Sequence, residues 1–195
     1  MKRIVIPLII LIFVTACGHQ ENREMYALLD QFVQETNKHD GRVYLVSQTQ
    51  PIKYFLHEHG SLAQAYQKIE NDQSPLTDKP FKNLVSEKAF REIGEKHQNE
   101  VYFNLLKSNQ FGIRLIDEPL NTNKSSTVNQ YQLASNVSSK DYVITTSKPA
   151  FMKNYSIACI FYSCQTKEAS TSSLAIYQKV NGKWALTYDF PLEEW

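Results

Sequence analysis

The sequence predicts an α+β fold, with helices mainly in the N-terminal half packed on an antiparallel β-meander from the C-terminal half. Three observations carry that expectation. Residues 24–37 place Met25, Leu28, Leu29, Phe32 and Val33 at the i, i+3, i+4, i+7, i+8 spacing of one helical face. The chain beyond residue 128 falls into successive short runs rich in Val, Ile, Tyr and Phe, the composition of strands. Helical patterns gather first and strand patterns last, without the βαβ alternation of a parallel α/β protein.

The bulk composition agrees with a folded domain. Hydrophobic residues make up 42% and charged residues 21%, too apolar and too evenly charged for a disordered chain. With 21 Lys+Arg against 20 Asp+Glu, the formal charge of +1 gives no electrostatic reason to expect a nucleic-acid partner.

The N-terminus reads as a targeting signal. Lys2 and Arg3 precede an uncharged run, Ile4–Ala16, that ends in Val14-Thr15-Ala16-Cys17. At ~1.5 Å per residue such a run spans roughly 20 Å, short of the ~30 Å hydrocarbon core of a bilayer. A charged start, a short apolar stretch and small residues before a cut describe a signal peptide. The order Val-Thr-Ala-Cys resembles the lipobox of bacterial lipoproteins. That resemblance implies cleavage before Cys17, a diacylglyceryl group on its thiol and acylation of the new amine. Membrane lipid is then the expected partner, through Cys17. An ordinary secretory signal or an uncleaved anchor is the competing reading.

Gly18 stands where an Asp would imply inner-membrane retention in the Gram-negative sorting rule. By resemblance the expected address is the cell envelope: the periplasmic side of the outer membrane in a Gram-negative cell, otherwise the outer face of the plasma membrane. The expected organisation is a signal peptide over 1–16, a lipidated Cys17 with a short tether over 17–23, and one α+β domain over 24–195. A tether of that length reaches at most roughly 20 Å, which would hold the domain near its membrane.

The elements follow in order. The first helix occupies 24–37, with Asn22 as N-cap and His39-Asp40-Gly41 as stop. Arg42–Ser47 reads as a strand, and Ile52–His57 fits either type. Ser61–Asn71 carries Leu62, Ala65, Tyr66 and Ile69 on one helical stripe, and Asp72–Pro80 is a loop punctuated by Pro75 and Pro80. Helices are expected over 84–97, through Leu84, Ala89, Phe90 and Ile93, and over 99–107. Gly112–Ile116 reads as a strand and Glu118–Ser126 as a polar loop. Val128–Leu133, Asp141–Thr146, Tyr155–Ser163, Ser172–Val180 and Lys183–Phe190 complete the expected meander.

Asn181-Gly182 between the last two strand patterns suits a type I′ turn, in which both central residues take φ > 0. A two-residue turn, the favoured reading, pairs Lys179 with Trp184 and Tyr177 with Leu186. A bulged three-residue turn would instead pair Gln178 with Trp184 and Ile176 with Leu186. That one-residue difference reverses the face Trp184 shares. Trp184, Leu186, Tyr188 and Phe190 alternate as if one face of the last strand were buried throughout.

Few residues suggest chemistry. His57-Glu58-His59 is the densest group of metal-ligand types, but it lacks the i, i+4 spacing of H-E-x-x-H and a second ligand pair at zinc spacing. His57 and His59 are weak metal candidates beside a solvated-segment reading. Cys159 and Cys164 are a candidate disulfide in an oxidising compartment. A straight strand would separate them by ~16 Å, so a bridge needs a bend between them; buried free thiols are the alternative. There is no G-x-S-x-G, P-loop or S-x-x-K set, and no catalytic residue or cofactor is expected. The strand aromatics, Tyr155, Phe161, Tyr162, Tyr177, Trp184 and Tyr188, are expected as core and cross-strand pairs.

Ser147-Lys148-Pro149-Ala150-Phe151, the strand Tyr155–Cys164 and Tyr177–Trp184 together resemble uncharacterised bacterial envelope proteins that end in a K-x-N-G-K-W hairpin. The resemblance covers roughly 141–190 and implies no catalytic residue. The expected function is therefore a membrane-anchored lipoprotein that acts as a non-catalytic binding or accessory protein of the envelope, with an envelope protein as a candidate partner. An envelope enzyme, hydrolase-like, with a site in a helix–sheet cleft is the alternative. Docking through an exposed strand edge is a third reading.

Overall fold

Two sequence patterns of different period, one helical stripe and several alternating strands, bury their apolar sides against each other. The computed structural model describes residues 5–36, 42–56, 62–71, 80–97, 115–116, 141–166 and 169–194. Its elements are α1 (Val5–Thr36), β1 (Val43–Val46), a 3-10 helix (Ile52–Leu56), α2 (Leu62–Asn71), α3 (Phe81–Leu84) and α4 (Glu87–Lys96), followed by β2 (Leu115–Ile116), β3 (Tyr142–Thr146), β4 (Ala150–Met152), β5 (Ile157–Gln165), β6 (Ser170–Val180) and β7 (Lys183–Glu194). The class is α+β. The strands form one sheet in the order β2-β1-β3-β5-β6-β7, with β4 paired to β5.

The C-terminal strands pair antiparallel in sequence order, as their patterns predict. The sheet as a whole is mixed, however: β1 runs parallel to both β3 and β2. Asp141 pins the start of the parallel pair. Its buried carboxylate accepts the Arg42 backbone N–H at 3.1 Å and lies 3.8 Å from the Arg42 Nε.

Both faces of the sheet are covered. One carries α1, whose Met25, Leu28, Leu29, Phe32 and Val33 are all buried against Ile160, Ala175, Tyr177 and Trp184. Tyr26 is buried with them and widens the predicted stripe. The other face carries the 3-10 helix, α2, α3 and α4 around Phe161, Leu174, Ile176, Tyr188 and Phe190. Alternation along β5 serves both layers: Cys159 and Phe161 face the α2–α4 side, while Ile160 and Tyr162 face α1.

Several boundaries differ from expectation for local reasons. Helix α1 is continuous through Asn22, so that residue is not its N-cap and the expected tether is helical. Ile52–Leu56 resolves as a 3-10 helix. The helix expected over 84–97 is two: Val85 turns extended, and Ser86 caps α4 by accepting the Ala89 N–H at 3.3 Å. The expected helix over 99–107, the strand Val128–Leu133, the loop Glu118–Ser126 and the stop at 39–41 lie outside the described residues.

The final hairpin has the two-residue turn. Asn181 and Gly182 take φ of 51° and 79°, and Lys179 pairs with Trp184 and Tyr177 with Leu186. The alternation beyond it does not keep one face. Ile176 pairs with Tyr188 although Tyr177 pairs with Leu186, so Thr187 is an extra residue on β7. This bulge sends Trp184 and Leu186 to the α1 side and Tyr188 and Phe190 to the other core.

Candidate functional site

Helix α4 buries Phe90 and Ile93 and turns the polar edge of Glu92, Lys96 and His97 toward β4. Gly94, midway along it, is where Leu62 of α2 approaches too closely for a Cβ. Strand β4 follows a break in the sheet at Ser147-Lys148-Pro149. There the Ser147 N–H donates to the Phe161 carbonyl at 2.7 Å, and the Ser147 hydroxyl accepts the Phe161 N–H at 3.1 Å. A side-chain oxygen thus stands in for a ladder carbonyl, and the chain can step sideways into β4.

Between α3–α4 and β4 lies a cleft of about 440 Å³, within the usual size of small-molecule sites. Among the described residues its cationic lining is Lys82, Lys96 and Lys153 and its one carboxylate is Glu92, which itself faces Lys88 at 4.0 Å. Lys82 lies 3.7 Å from Glu70. Burial, and then the ammonium groups of Lys148 and Lys96, hold the His97 imidazole below its ordinary value against the opposing pull of Glu21.

The lip of the cleft is a strained turn. Lys153, Asn154 and Tyr155 have φ of 48°, 55° and 60°, three consecutive left-handed residues without a glycine. Ser156 closes the turn, its hydroxyl donating to the Lys153 carbonyl at 2.7 Å. Tyr155 packs on Phe151 at 5.3 Å, and Phe151 on Trp184 at 5.8 Å. The two short segments of the K-x-N-G-K-W resemblance are thus one packed unit, with Lys179 5.2 Å above the Trp184 ring.

A second polar cluster lies beneath the C-terminal half of α1. The Tyr162 hydroxyl donates to the Asp189 carboxylate at 2.9 Å, and the Tyr177 hydroxyl to Glu35 at 2.9 Å. Gln31 donates to the other Glu35 oxygen at 2.8 Å. The bulge at Thr187 is what places Asp189 on this face. Partial burial and the Glu35 charge raise the Asp189 carboxyl above its ordinary value, against the Tyr162 hydrogen bond, which lowers it. Burial likewise raises both phenols, and each is raised further by its carboxylate partner. These groups bond to one another rather than converging on a reacting atom.

The sequence candidates scatter. Cys159 and Cys164 are free thiols on opposite faces of the straight strand β5, so the structure contains no bridge between them. Burial pushes Cys159 up to about 12 and Cys164 up to about 11, which leaves little thiolate for nucleophilic chemistry. His57 and His59 lie outside the described residues, and among the described residues no group of three or more His, Cys, Asp or Glu could hold a metal. Cys17 falls within α1, its side chain outside the described residues. Among the described residues no helix is long and apolar enough to cross a membrane.

The outer edge of β7 is poorly suited to strand addition. It carries two bulges and Pro191, and the Lys68 ammonium donates to its Leu192 carbonyl at 3.0 Å. Sequence reasoning did not find Lys82, Lys96, Lys153, Glu35 or Asp189, because each is an ordinary surface residue type until the fold brings it to a neighbour. No family model, curated protein or solved structure matches this chain.

Proposed function

We propose that this chain is a lipid-anchored protein of the bacterial cell envelope, acylated at Cys17, whose α+β body works by binding rather than catalysis. The observation that carries the reading is the N-terminal order: Lys2-Arg3, the uncharged Ile4–Ala16 and Val14-Thr15-Ala16-Cys17. Close apposition to the membrane has separate support. The helix that runs on from Cys17 is fastened to the body by ion pairs Glu21–Lys148 at 2.7 Å and Glu24–Lys179 at 2.6 Å, so three helical residues separate Cys17 from the first tie. A binding role is supported by a cleft lined with Lys82, Lys96 and Lys153, and by the Tyr162–Asp189 and Tyr177–Glu35 hydrogen bonds, which pair those groups with one another. The envelope in question is the periplasmic side of an outer membrane, or the outer face of a plasma membrane in a cell with one membrane.

Cell fractionation tests it. Wild-type protein partitions with membranes, and its N-terminal peptide carries the mass of an acylated Cys17; Cys17→Ser is released or stays unprocessed, since stable anchoring takes more than one acyl chain. Wholly soluble wild-type protein with an unmodified Cys17 overturns the reading.

A hydrolase-like envelope enzyme is the second reading, favoured by one observation, the exposed Asp189 carboxylate that the Tyr162 hydroxyl holds at 2.9 Å. If that reading holds, Asp189→Asn abolishes turnover of envelope substrates without loss of fold.

A further inference from the structure

The position of the cleft relative to the anchor is the most informative relationship in the molecule. Glu21 follows Cys17 by four residues of continuous helix, about 6 Å at ~1.5 Å per residue. Glu21 pairs with Lys148, and both are near enough to His97 to act on its charge. His97 lines the cleft. Lys148, held by Glu21, stands two residues before Ala150, which also lines the cleft, so the cleft lies at the end of the body nearest Cys17 along α1. The neighbouring hairpin turn shares that end, since the Lys179 N–H donates to the Ser156 carbonyl at 2.8 Å, and it presents Val180, 52% exposed.

We infer that the cleft between α4 and β4 binds the phosphate of an anionic phospholipid headgroup in the membrane that holds Cys17. This inference rests on the lipid-anchor reading. Charge complementarity supports it: Lys96 and Lys153 line the space together with Lys82, which Glu70 shares at 3.7 Å, and among the described residues the one lining carboxylate, Glu92, is opposed by Lys88 at 4.0 Å. Lys148 does not compete for the ligand, because Glu21 holds it at 2.7 Å. The turn that carries Lys153 keeps three left-handed residues beside the cleft, the kind of local strain that collects at ligand clamps. A phosphate monoanion needs no more than two or three such ammonium groups, and each lysine near an anionic surface contributes about fivefold in affinity.

Because the acyl chains hold the protein on any bilayer, partitioning is not a useful readout. Full-length processed protein is reconstituted into vesicles of phosphatidylcholine, with or without phosphatidylglycerol. Acylation of individual lysines by an amine-reactive ester is followed by mass spectrometry. Phosphatidylglycerol should slow labelling of Lys96 and Lys153 by about fivefold or more and leave exposed Lys53 unchanged. In Lys82→Gln/Lys153→Gln, the labelling of Lys96 should lose most of its dependence on phosphatidylglycerol. Equal labelling in the two membranes overturns the inference, as does uniform slowing that includes Lys53, or full protection that survives the double substitution. Soluble glycerol phosphate added to phosphatidylcholine vesicles separates the two sources of phosphate: protection equal to that of phosphatidylglycerol overturns the lipid assignment. The mass of the N-terminal peptide, read in the same samples, keeps the two readings apart. An unacylated Cys17 defeats the anchor, whereas acylated protein with equal labelling defeats only the headgroup site.

Discussion

The Tyr177 hydroxyl donates a 2.9 Å hydrogen bond to Glu35, joining the last turn of α1 to the middle of β6 across 142 positions of sequence. Glu24–Lys179 fastens the same helix two residues further along β6. Between these two polar ties lie the buried apolar residues of the helix, so α1 is a layer of the domain and not a stalk.

Tyr177→Phe is expected to cost about 1.5 kcal/mol, the low end for a hydrogen bond to a charged group, because Glu35 keeps the Gln31 amide. The substitution also changes the alkaline limb. Burial first, and Glu35 second, raise the Tyr177 phenol above its ordinary 10.0. A group raised in the folded state contributes stability that is whole below the unfolded value and is lost as pH rises toward the folded one. Urea midpoints should therefore fall as pH climbs above 10, and fall less steeply in Tyr177→Phe. Parallel alkaline limbs would show that Tyr177 does not contribute.

Phe32→Ala removes a ring that is 3% exposed and meets Tyr162 edge-on at 4.9 Å. The expected loss is roughly 3–5 kcal/mol, a large part of the ~5–15 kcal/mol that a domain commonly holds. An unchanged denaturation midpoint would mean that α1 is dispensable to the body.

Gly182→Val isolates backbone strain from packing. Gly182 has φ of 79° and nothing within 4 Å of an added Cβ, so the substitution meets no clash. The left-handed conformation alone should cost about 1–2 kcal/mol, more for a β-branched residue than for Gly182→Asn. Equal stability of the two variants would contradict the type I′ assignment.

Lys153→Gly should act in the opposite direction. Relief of a left-handed lysine, about 1–2 kcal/mol, exceeds the extra unfolded-state entropy of glycine, about 0.5–1 kcal/mol. Thermal denaturation should show a gain of roughly 0.5–1 kcal/mol.

Thiol chemistry provides a fourth kind of check. Cys159 and Cys164, with thiols raised to about 12 and about 11, should react with an aromatic disulfide reagent far more slowly in native than in unfolded protein at neutral pH. Rapid native reaction, or a mass two hydrogen atoms lighter under oxidising conditions, would contradict their placement on opposite faces of β5.

The α+β class, the stripe of α1 and the Asn181-Gly182 turn were legible in the sequence because each rests on local periodicity or on the conformational freedom of one or two residues. The lipobox resemblance is equally local, a matter of residues 2–17. The face that Tyr188 and Phe190 occupy was not legible. Their alternation with Trp184 and Leu186 is unbroken in the sequence, and only pairing with Ile176 and Tyr177 exposes Thr187 as an inserted residue. The parallel placement of β1 beside β3 is likewise set by contacts about a hundred residues apart, including Arg42 with Asp141, for which no short-range pattern exists. The cleft belongs to the same class. Lys82 and Lys96 come from one helical region and Lys153 from a turn between strands, and their shared field arises only when α4 packs over β4. Charge convergence is a property of distances in space, and sequence separation carries no record of it.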